Sequence, residues 1–195
     1  MKPKNNVWFD TEQHLYFADE ARTIIIPNVS AIIAEVCGDS FKSVPEEIRM
    51  AALKNGTGVH KATESHDKGE DVSSFGLYCA SWIRFKKDFG LNDKKFDLIE
   101  VPLFSREFWY ATTPDRCLFS GGIVIEIKTG RQYKIHRVQT ASHAIAIEEN
   151  YDVKINQRIA VYLTESTYKM DIHDNQKDFY YWKSIVGAFH WKEFE

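Results

Sequence analysis

An alternating segment beside a glycine pair constrains this chain more than any other feature. In Ile123–Lys128, which reads IVIEIK, isoleucine recurs at every second position, and Glu126 and Lys128 take two of the positions between. This alternation predicts a strand with one apolar and one polar face. Gly121-Gly122 and the short segment Arg116–Phe119 precede it, so the sequence predicts a β-hairpin whose isoleucines point into apolar packing.

The turn of this hairpin determines which side chains face each other. If Ser120 and Gly121 form its centre, Asp115 faces Glu126, and a four-residue loop keeps the same register. Facing Cβ atoms lie roughly 4.5 to 5.5 Å apart. Lys128 lies on the same face as Glu126. We therefore expect two carboxylates and one ammonium group to converge.

Two facing carboxylates repel each other, and a divalent cation offsets that repulsion. Hard oxygen ligands suit Mg²⁺ or Mn²⁺, which keep positions open for water and for a phosphate oxygen. The Lys128 ammonium is placed to orient an attacking water or to stabilise charge on a phosphate. The alternative is a surface hairpin in which Lys128 forms a cross-strand salt bridge. The hairpin alone leaves both interpretations open.

The remaining pattern predicts one α/β domain over residues 1–195, with a mostly antiparallel central sheet flanked by helices and an N-terminal β-meander at about 1–27. With 195 residues and 44% hydrophobic content, the chain can bury one sizeable core. Further helices are predicted at Pro45–Glu64, with a break at Gly56–Gly58, and at Ser74–Phe89, Tyr133–Glu149 and Gln176–Trp191; further strands are predicted at Leu98–Phe104, Glu107–Ala111, Arg158–Thr164 and Thr167–Ile172.

Composition argues against several other classes of protein. The three cysteines lie far apart without a CxxC pair, so a disulfide framework and a cysteine-built zinc or iron–sulfur site are not supported. No apolar run approaches the roughly 20 residues of a membrane span, and the first residues lack the apolar middle of a secretion signal. We expect a cytoplasmic protein without a membrane partner. The net charge of −3 means that a nucleic-acid surface must be local.

Several motifs, in order, resemble the PD-(D/E)XK nuclease superfamily, in its RecB-like and phage exonuclease-like branch. Pro114-Asp115 and Glu126-Ile127-Lys128 match the defining motif. Over nearly the whole chain, the opening FDTEQHLY with IPNVS, the helical GTGVH, the strand EVP and Gln139 match further family motifs. The resemblance implies a restriction-endonuclease-like core. The chain departs from the family where threonines replace a glycine before the aspartate, and where His143 replaces the tyrosine of Q-x-x-x-Y.

The resemblance implies roles for individual residues. Asp115 and Glu126 would bind the metal, and Lys128 and Gln139 would complete the catalytic group. Further ligands would be the backbone carbonyl of Ile127, the side chain of His60 and, for a second ion, Glu100. A lone histidine is otherwise a packing or capping residue, and Glu100 is otherwise a strand-edge acid.

Nucleic-acid contacts are predicted just after the catalytic strand. Arg131, Lys134 and Arg137 belong to an acid-free stretch, and His143 lies one helical turn from Gln139. Such groups give affinity for phosphates without sequence information.

We therefore expect a deoxyribonuclease that uses one or two Mg²⁺ or Mn²⁺ ions, most simply a phage-type exonuclease acting in recombination, replication or repair. If the chain is phage-encoded, its location would be the host cytoplasm. The alternatives are a structure-specific or restriction-like endonuclease and, in another class, a non-catalytic DNA-binding module on the same fold. No iron–sulfur cluster is expected. Besides DNA, the resemblance makes a single-strand annealing protein and a second copy of the chain candidate partners.

Overall fold

The computed structural model describes residues 1–38, 44–70 and 76–192. Helices and strands alternate along them. The strands are β1 (Trp8–Asp10), β2 (Leu15–Phe17), β3 (Ile25–Ile26), β4 (Leu98–Ile99), β5 (Leu103–Ser105), β6 (Tyr110–Thr112), β7 (Arg116–Leu118), β8 (Ile123–Lys128), β9 (Gln157–Leu163) and β10 (Tyr168–Ile172); the helices are α1 (Val29–Cys37), α2 (Glu46–Lys68), α3 (Leu77–Asp88), α4 (Ile135–Asn150) and α5 (Lys177–Lys192).

The central sheet has five strands in the order β10-β9-β8-β7-β4. Strands β8 and β9 run parallel, whereas the other three neighbouring pairs are antiparallel. This confirms the predicted α/β class and mostly antiparallel sheet. The first three strands form a separate antiparallel sheet within the predicted meander, and β5 and β6 form a two-stranded antiparallel sheet.

The β7–β8 hairpin has the predicted register. Arg116 pairs with Ile125 and Leu118 with Ile123, so the next position outward places Asp115 opposite Glu126. The turn contains one short 3-10 segment and ends at Gly122, where φ is +59°. A Cβ on Gly122 would lie 2.3 Å from the carbonyl oxygen of Lys154, so this position requires glycine.

The two faces of β8 belong to different layers of the core. Ile125 and Ile127 pack with residues of α2 and α3, including Val59 and Trp82, as the alternation predicts. The opposite face is not the polar face that the alternation predicts: Val124 lies there, is fully buried, and packs with residues of α4, α5 and α1. Glu126 shares the face of Val124, so it points toward α4 rather than toward α2.

Three predicted elements differ in the structure. The strand predicted at Glu107–Ala111 begins only at Tyr110, because residues 106–109 form the turn between β5 and β6. Helix α2 is continuous through Gly56 and Gly58, because it packs along the sheet through Val59 and Thr63 and each glycine costs only about 1 kcal/mol in a helix. The strand predicted at Leu98–Phe104 is divided, because Glu100 has a φ of +50° and directs the chain from β4 into a different sheet. The predicted start of α3 at Ser74 lies outside the described residues.

None of the helices in the described part of the chain combines the length and the apolar character needed to cross a membrane.

Candidate active site

Three side chains form a group of the size that a metal ion needs. His60 comes from α2, Glu100 follows β4, and Asp115 precedes β7; one ligand atom from each lies within 4.8 Å of the other two. His60 Nδ1 is 3.3 Å from Glu100 Oε1 and 3.3 Å from Asp115 Oδ1. Among the described residues, no other group of three or more histidine, cysteine or acidic side chains reaches this proximity.

The backbone explains why the two acids are adjacent. Strands β4 and β7 pair through Ile99 and Arg116, and Glu100 and Asp115 are the next residues outward. The Glu100 N–H donates to the carbonyl oxygen of Asp115 at 3.1 Å. The Asp115 carboxylate in turn accepts a hydrogen bond through Oδ2 from the Ile127 N–H. Asp115 is therefore attached to β8 on one side and directs Oδ1 toward His60.

The electrostatics of this group favour a bound cation. Asp115 raises the pKa of His60 well above its ordinary value, and Glu100 adds to this effect against the opposing effect of burial. Burial raises the pKa of Glu100, and the neighbouring charge of Asp115 raises it further. Positive charge stabilises two carboxylates this close, and a protonated imidazole, the Arg116 guanidinium beside Glu100 or a bound metal ion can supply it.

Glu126 and Lys128 form a second group on the α4 side of β8. Lys128 Nζ donates to Glu126 Oε1 at 2.7 Å, and Gln139 Nε2 donates to the same oxygen at 2.7 Å. His143 Nε2 lies 2.8 Å from Glu126 Oε2, and its Nδ1 lies 2.7 Å from Thr112 Oγ1. The structure thus brings together Glu126, Lys128, Gln139 and His143, with both Glu126 oxygens engaged by nitrogen donors.

These contacts keep Glu126 ionised and Lys128 protonated. Burial acts to raise the pKa of Glu126, but Lys128 and His143 together lower it below its ordinary range. Burial acts to lower the pKa of Lys128, but Glu126 and Asp115 raise it above its ordinary value. Lys128 is therefore an ammonium group at neutral pH and suits charge stabilisation better than proton abstraction.

The structure separates the predicted metal ligands into two sets. Asp115, His60 and Glu100 converge, whereas Glu126 is not in the group with ligand atoms within 4.8 Å of one another. Ile127 contacts Asp115 through its backbone N–H, which brings its main chain to the edge of the group; the ligand role of its carbonyl stays a prediction.

A buried charge network behind the metal group was missed by sequence reasoning. Arg116 Nη1 donates to Glu100 Oε1 at 3.2 Å and to the Asp115 carbonyl at 2.6 Å. Its Nε donates to Asp67 Oδ2 at 2.7 Å, and its Nη2 donates to Thr63 Oγ1 at 3.1 Å. A signal was present: Thr63 and Asp67 follow His60 at the spacing of one helix face.

The residues predicted to contact nucleic acid lie in different environments. Arg131 and Lys134 are exposed. Arg137 lies 3.4 to 3.9 Å from the carboxylates of Asp171, Asp174 and Asp178, which come from distant parts of the sequence. The stretch from Arg131 to Arg137 contains no acidic residue, but acidic side chains from other parts of the chain lie beside it in the structure.

His143 is only 2% exposed, so its side chain holds Glu126 and has little surface for a phosphate. The burial of His143 therefore argues against the prediction that this residue contacts a phosphate directly.

An open groove of about 690 Å³ lies beside the start of α4. It is lined mainly by Tyr133, Lys134, Arg137, Asp171 and Tyr181. Its charges are mixed, and its position next to β10 places it on the α4 face of the sheet.

A scan against protein-family models found no match to this chain, and a search of curated proteins found none either. The resemblance to nucleases therefore rests on the sequence motifs and on the chemistry of these two groups of side chains.

Proposed function

We propose that this protein is a metal-dependent deoxyribonuclease that hydrolyses phosphodiester bonds, with a restriction-endonuclease-like core and exonuclease action as its first assignment. One observation carries the proposal: Asp115 joins the metal-sized group of His60 and Glu100 to the backbone of the strand that presents Lys128. An imidazole and two carboxylates are therefore held beside a charged lysine, which is the combination that phosphodiester hydrolysis uses.

The donor set fits Mg²⁺ or Mn²⁺. The group offers one nitrogen from His60 and carboxylate oxygens from Glu100 and Asp115. A bound cation would relieve the repulsion between the two carboxylates. When bound, such an ion would polarise a phosphate oxygen and lower the pKa of a bound water. No cysteine belongs to this group, so its chemistry does not suit an iron–sulfur cluster.

Lys128 would act on the substrate through its charge. Its ammonium is fixed by Glu126 and lies in the field of Asp115, and 23% of the side chain remains exposed. It can orient a water molecule by hydrogen bonding and stabilise negative charge on the phosphate in the transition state. Glu126, held by Gln139 and His143, fixes the position of that ammonium.

We assign the nucleic-acid contact to the exposed Arg131 and Lys134, which follow the catalytic strand. Arg137 is better placed as a structural link between α4 and the start of α5, because three carboxylates surround it. In this assignment His143 positions Glu126 and does not bind DNA.

The test compares end-labelled linear DNA with covalently closed circular DNA under a titration of Mg²⁺ and Mn²⁺. Three variants accompany the wild type: Lys128→Ala, Asp115→Asn, and Lys95→Ala as a matched control at an exposed lysine three residues before β4. Metal binding is measured separately by calorimetry. We expect degradation of linear DNA alone, in the wild type and the control.

The two active-site variants separate binding from catalysis. Lys128→Ala should retain metal binding and lose cleavage, whereas Asp115→Asn should lose both. Cutting of the circular substrate would replace the exonuclease assignment with an endonuclease. Absence of metal-dependent cleavage of either DNA, with DNA binding retained, would refute the catalytic proposal and favour a non-catalytic DNA-binding module.

A further inference from the structure

The outer edge of β10 presents unpaired backbone groups. β10 is the last strand of the central sheet, and no strand in the described ranges pairs with its outer side. The His173 N–H donates to the Arg158 carbonyl, and the Thr164 N–H donates to the Thr167 carbonyl. With the register of β9 and β10, odd-numbered residues of β10 therefore bond to β9, and the even-numbered Tyr168, Met170 and Ile172 direct N–H and C=O outward.

The side chains of β10 divide into an apolar and a charged set. Tyr168 packs edge-on against Phe85 of α3, so Tyr168, Met170 and Ile172 lie on the α3 face of the sheet. Met170 and Ile172 are 42% and 39% exposed. Lys169 and Asp171 lie on the opposite face.

Exposed apolar side chains at an open edge are unusual, because natural proteins protect such edges from pairing with other chains. A strand that keeps both features is suited to pairing.

This strand is complementary to itself. When two copies of β10 pair antiparallel, the residues whose backbone N–H and C=O groups point outward must lie opposite one another. Only three such registers keep the middles of the two strands together, and they are centred at residues 169, 170 and 171. A centre at Lys169 opposes lysine to lysine, and a centre at Asp171 opposes aspartate to aspartate. A centre at Met170 opposes Lys169 to Asp171 twice and Tyr168 to Ile172 twice. This central register also engages all five residues of the strand.

We propose that β10 is a docking edge for a second copy of this chain, paired antiparallel about Met170. The two five-stranded sheets would become one ten-stranded sheet, with six backbone hydrogen bonds and two Lys169–Asp171 ion pairs between the copies. The known contacts of Asp171, to Gln132, His173 and Arg137, all involve Oδ2, and 24% of its side chain stays exposed. The proposal does not depend on the nuclease assignment.

The interface is small and places the two copies of β8 far apart. A strand of five residues buries less than the roughly 800 Å² per partner of a standard interface, so the dimer should be weak. The fraction of chains in the dimer should therefore rise with protein concentration. The two copies of β8 would lie five strand spacings apart, about 24 Å, and would run in opposite directions, so that their carboxyl ends lie at opposite ends of the strands. Each candidate active site would therefore remain separate.

Hydrogen exchange of the wild-type protein tests the pairing without any substitution. At low concentration the amides of Met170 and Ile172 should exchange rapidly, whereas those of Lys169 and Asp171 should be protected by β9. At high concentration Met170 and Ile172 should become protected as sedimentation shows dimer formation. Rapid exchange of both amides in a sample that is dimeric would overturn the proposed interface, and a monomer at every concentration would overturn the dimer.

Charge exchange tests the register. K169D opposes aspartate to aspartate at both pairs, and D171K opposes lysine to lysine, so each variant alone should self-associate roughly tenfold more weakly. An equimolar mixture restores both attractive pairs, and native mass spectrometry should show a heterodimer as the dominant dimer. Circular dichroism checks that both variants fold.

The control is K95D, which makes the same charge change at an exposed lysine just before β4, the strand at the other end of the sheet from β10, and should dimerise like the wild type. Equal self-association of K169D and K95D, or a mixture without preferred heterodimers, would overturn the register.

Discussion

Replacing Asp67 by asparagine should remove much of the stability of the domain, because this carboxylate is the counter-ion of two buried cations. Asp67 accepts hydrogen bonds from Arg116 Nε at 2.7 Å, from Lys86 Nζ at 2.6 Å and from Trp82 Nε1 at 3.0 Å. The side chain of Arg116 is fully buried, and those of Asp67 and Lys86 are 1% and 7% exposed. Solvent therefore cannot replace the lost charge.

The magnitude follows from that burial. Breaking a buried ion pair by removing one partner costs about 3 to 5 kcal/mol, because an uncompensated charge stays inside. Asparagine keeps the shape and one acceptor, so we expect the lower end, about 3 kcal/mol. For a chain of this size, such a loss lowers the Tm by about 6 to 12 °C.

The assay is urea unfolding at neutral pH, read as a change in midpoint at constant slope. Glu64→Gln on the same helix is the matched control, because Glu64 pairs with Lys68 where both side chains are partly exposed to solvent. That exposed pair should contribute about 0.3 to 0.5 kcal/mol. If Asp67→Asn and Glu64→Gln destabilise the protein equally, the buried network does not stabilise the fold as we argue.

Three further predictions concern pH, helix α2 and metal binding. Burial lowers the pKa of His136 to about 4, with a further contribution from Lys128, whereas the unfolded value is near 6.5. The unfolded chain therefore binds more protons between these values, so the free energy of unfolding should fall by about 3 kcal/mol as the pH drops from 6.5 to 4. Urea unfolding should show a smaller fall in His136→Gln. An equal dependence on pH in the variant and the wild type would contradict the assignment. Gly56→Ala and Gly58→Ala should each raise the free energy of unfolding by up to about 1 kcal/mol, because α2 is continuous there and a Cβ meets at most Thr129 Oγ1 at 3.7 Å; a lowered urea midpoint would indicate a break. Mn²⁺ at 100 times its Kd should raise the wild-type Tm by about 5 to 10 °C in calorimetry and leave Asp115→Asn unchanged; an equal rise in both would place the ion elsewhere.

The hairpin at the centre of the site was predictable because its determinants are local. The alternating isoleucines decide which face of β8 packs against α2 and α3, and the glycines at its turn set the register. A one-residue slip would have moved every isoleucine to the other face, so few alternatives existed. The backbone register that places Asp115 opposite Glu126, and the contact between Glu126 and Lys128, followed from the same local pattern.

Features that depend on long-range packing were not predictable in the same way. The side chain of Glu126 turns toward Gln139 and His143 because α4 covers that face, and a hairpin pattern contains no information about α4. The carboxylates around Arg137 come from β10 and the start of α5, more than 30 residues away in sequence. The residues close to Arg137 in sequence therefore gave a wrong prediction of the charge that surrounds it in the structure.

The left-handed backbone of Glu100 has a consequence for how this protein would respond to selection. A residue other than glycine with a φ of +50° carries a backbone cost of about 1 kcal/mol or more, and here that cost falls on a candidate metal ligand whose carboxylate is also crowded by Asp115. Glycine or asparagine at this position would relieve the backbone. A library at position 100 sorted for thermal stability should therefore enrich these two residues, and the same library sorted for metal-dependent activity should lose them.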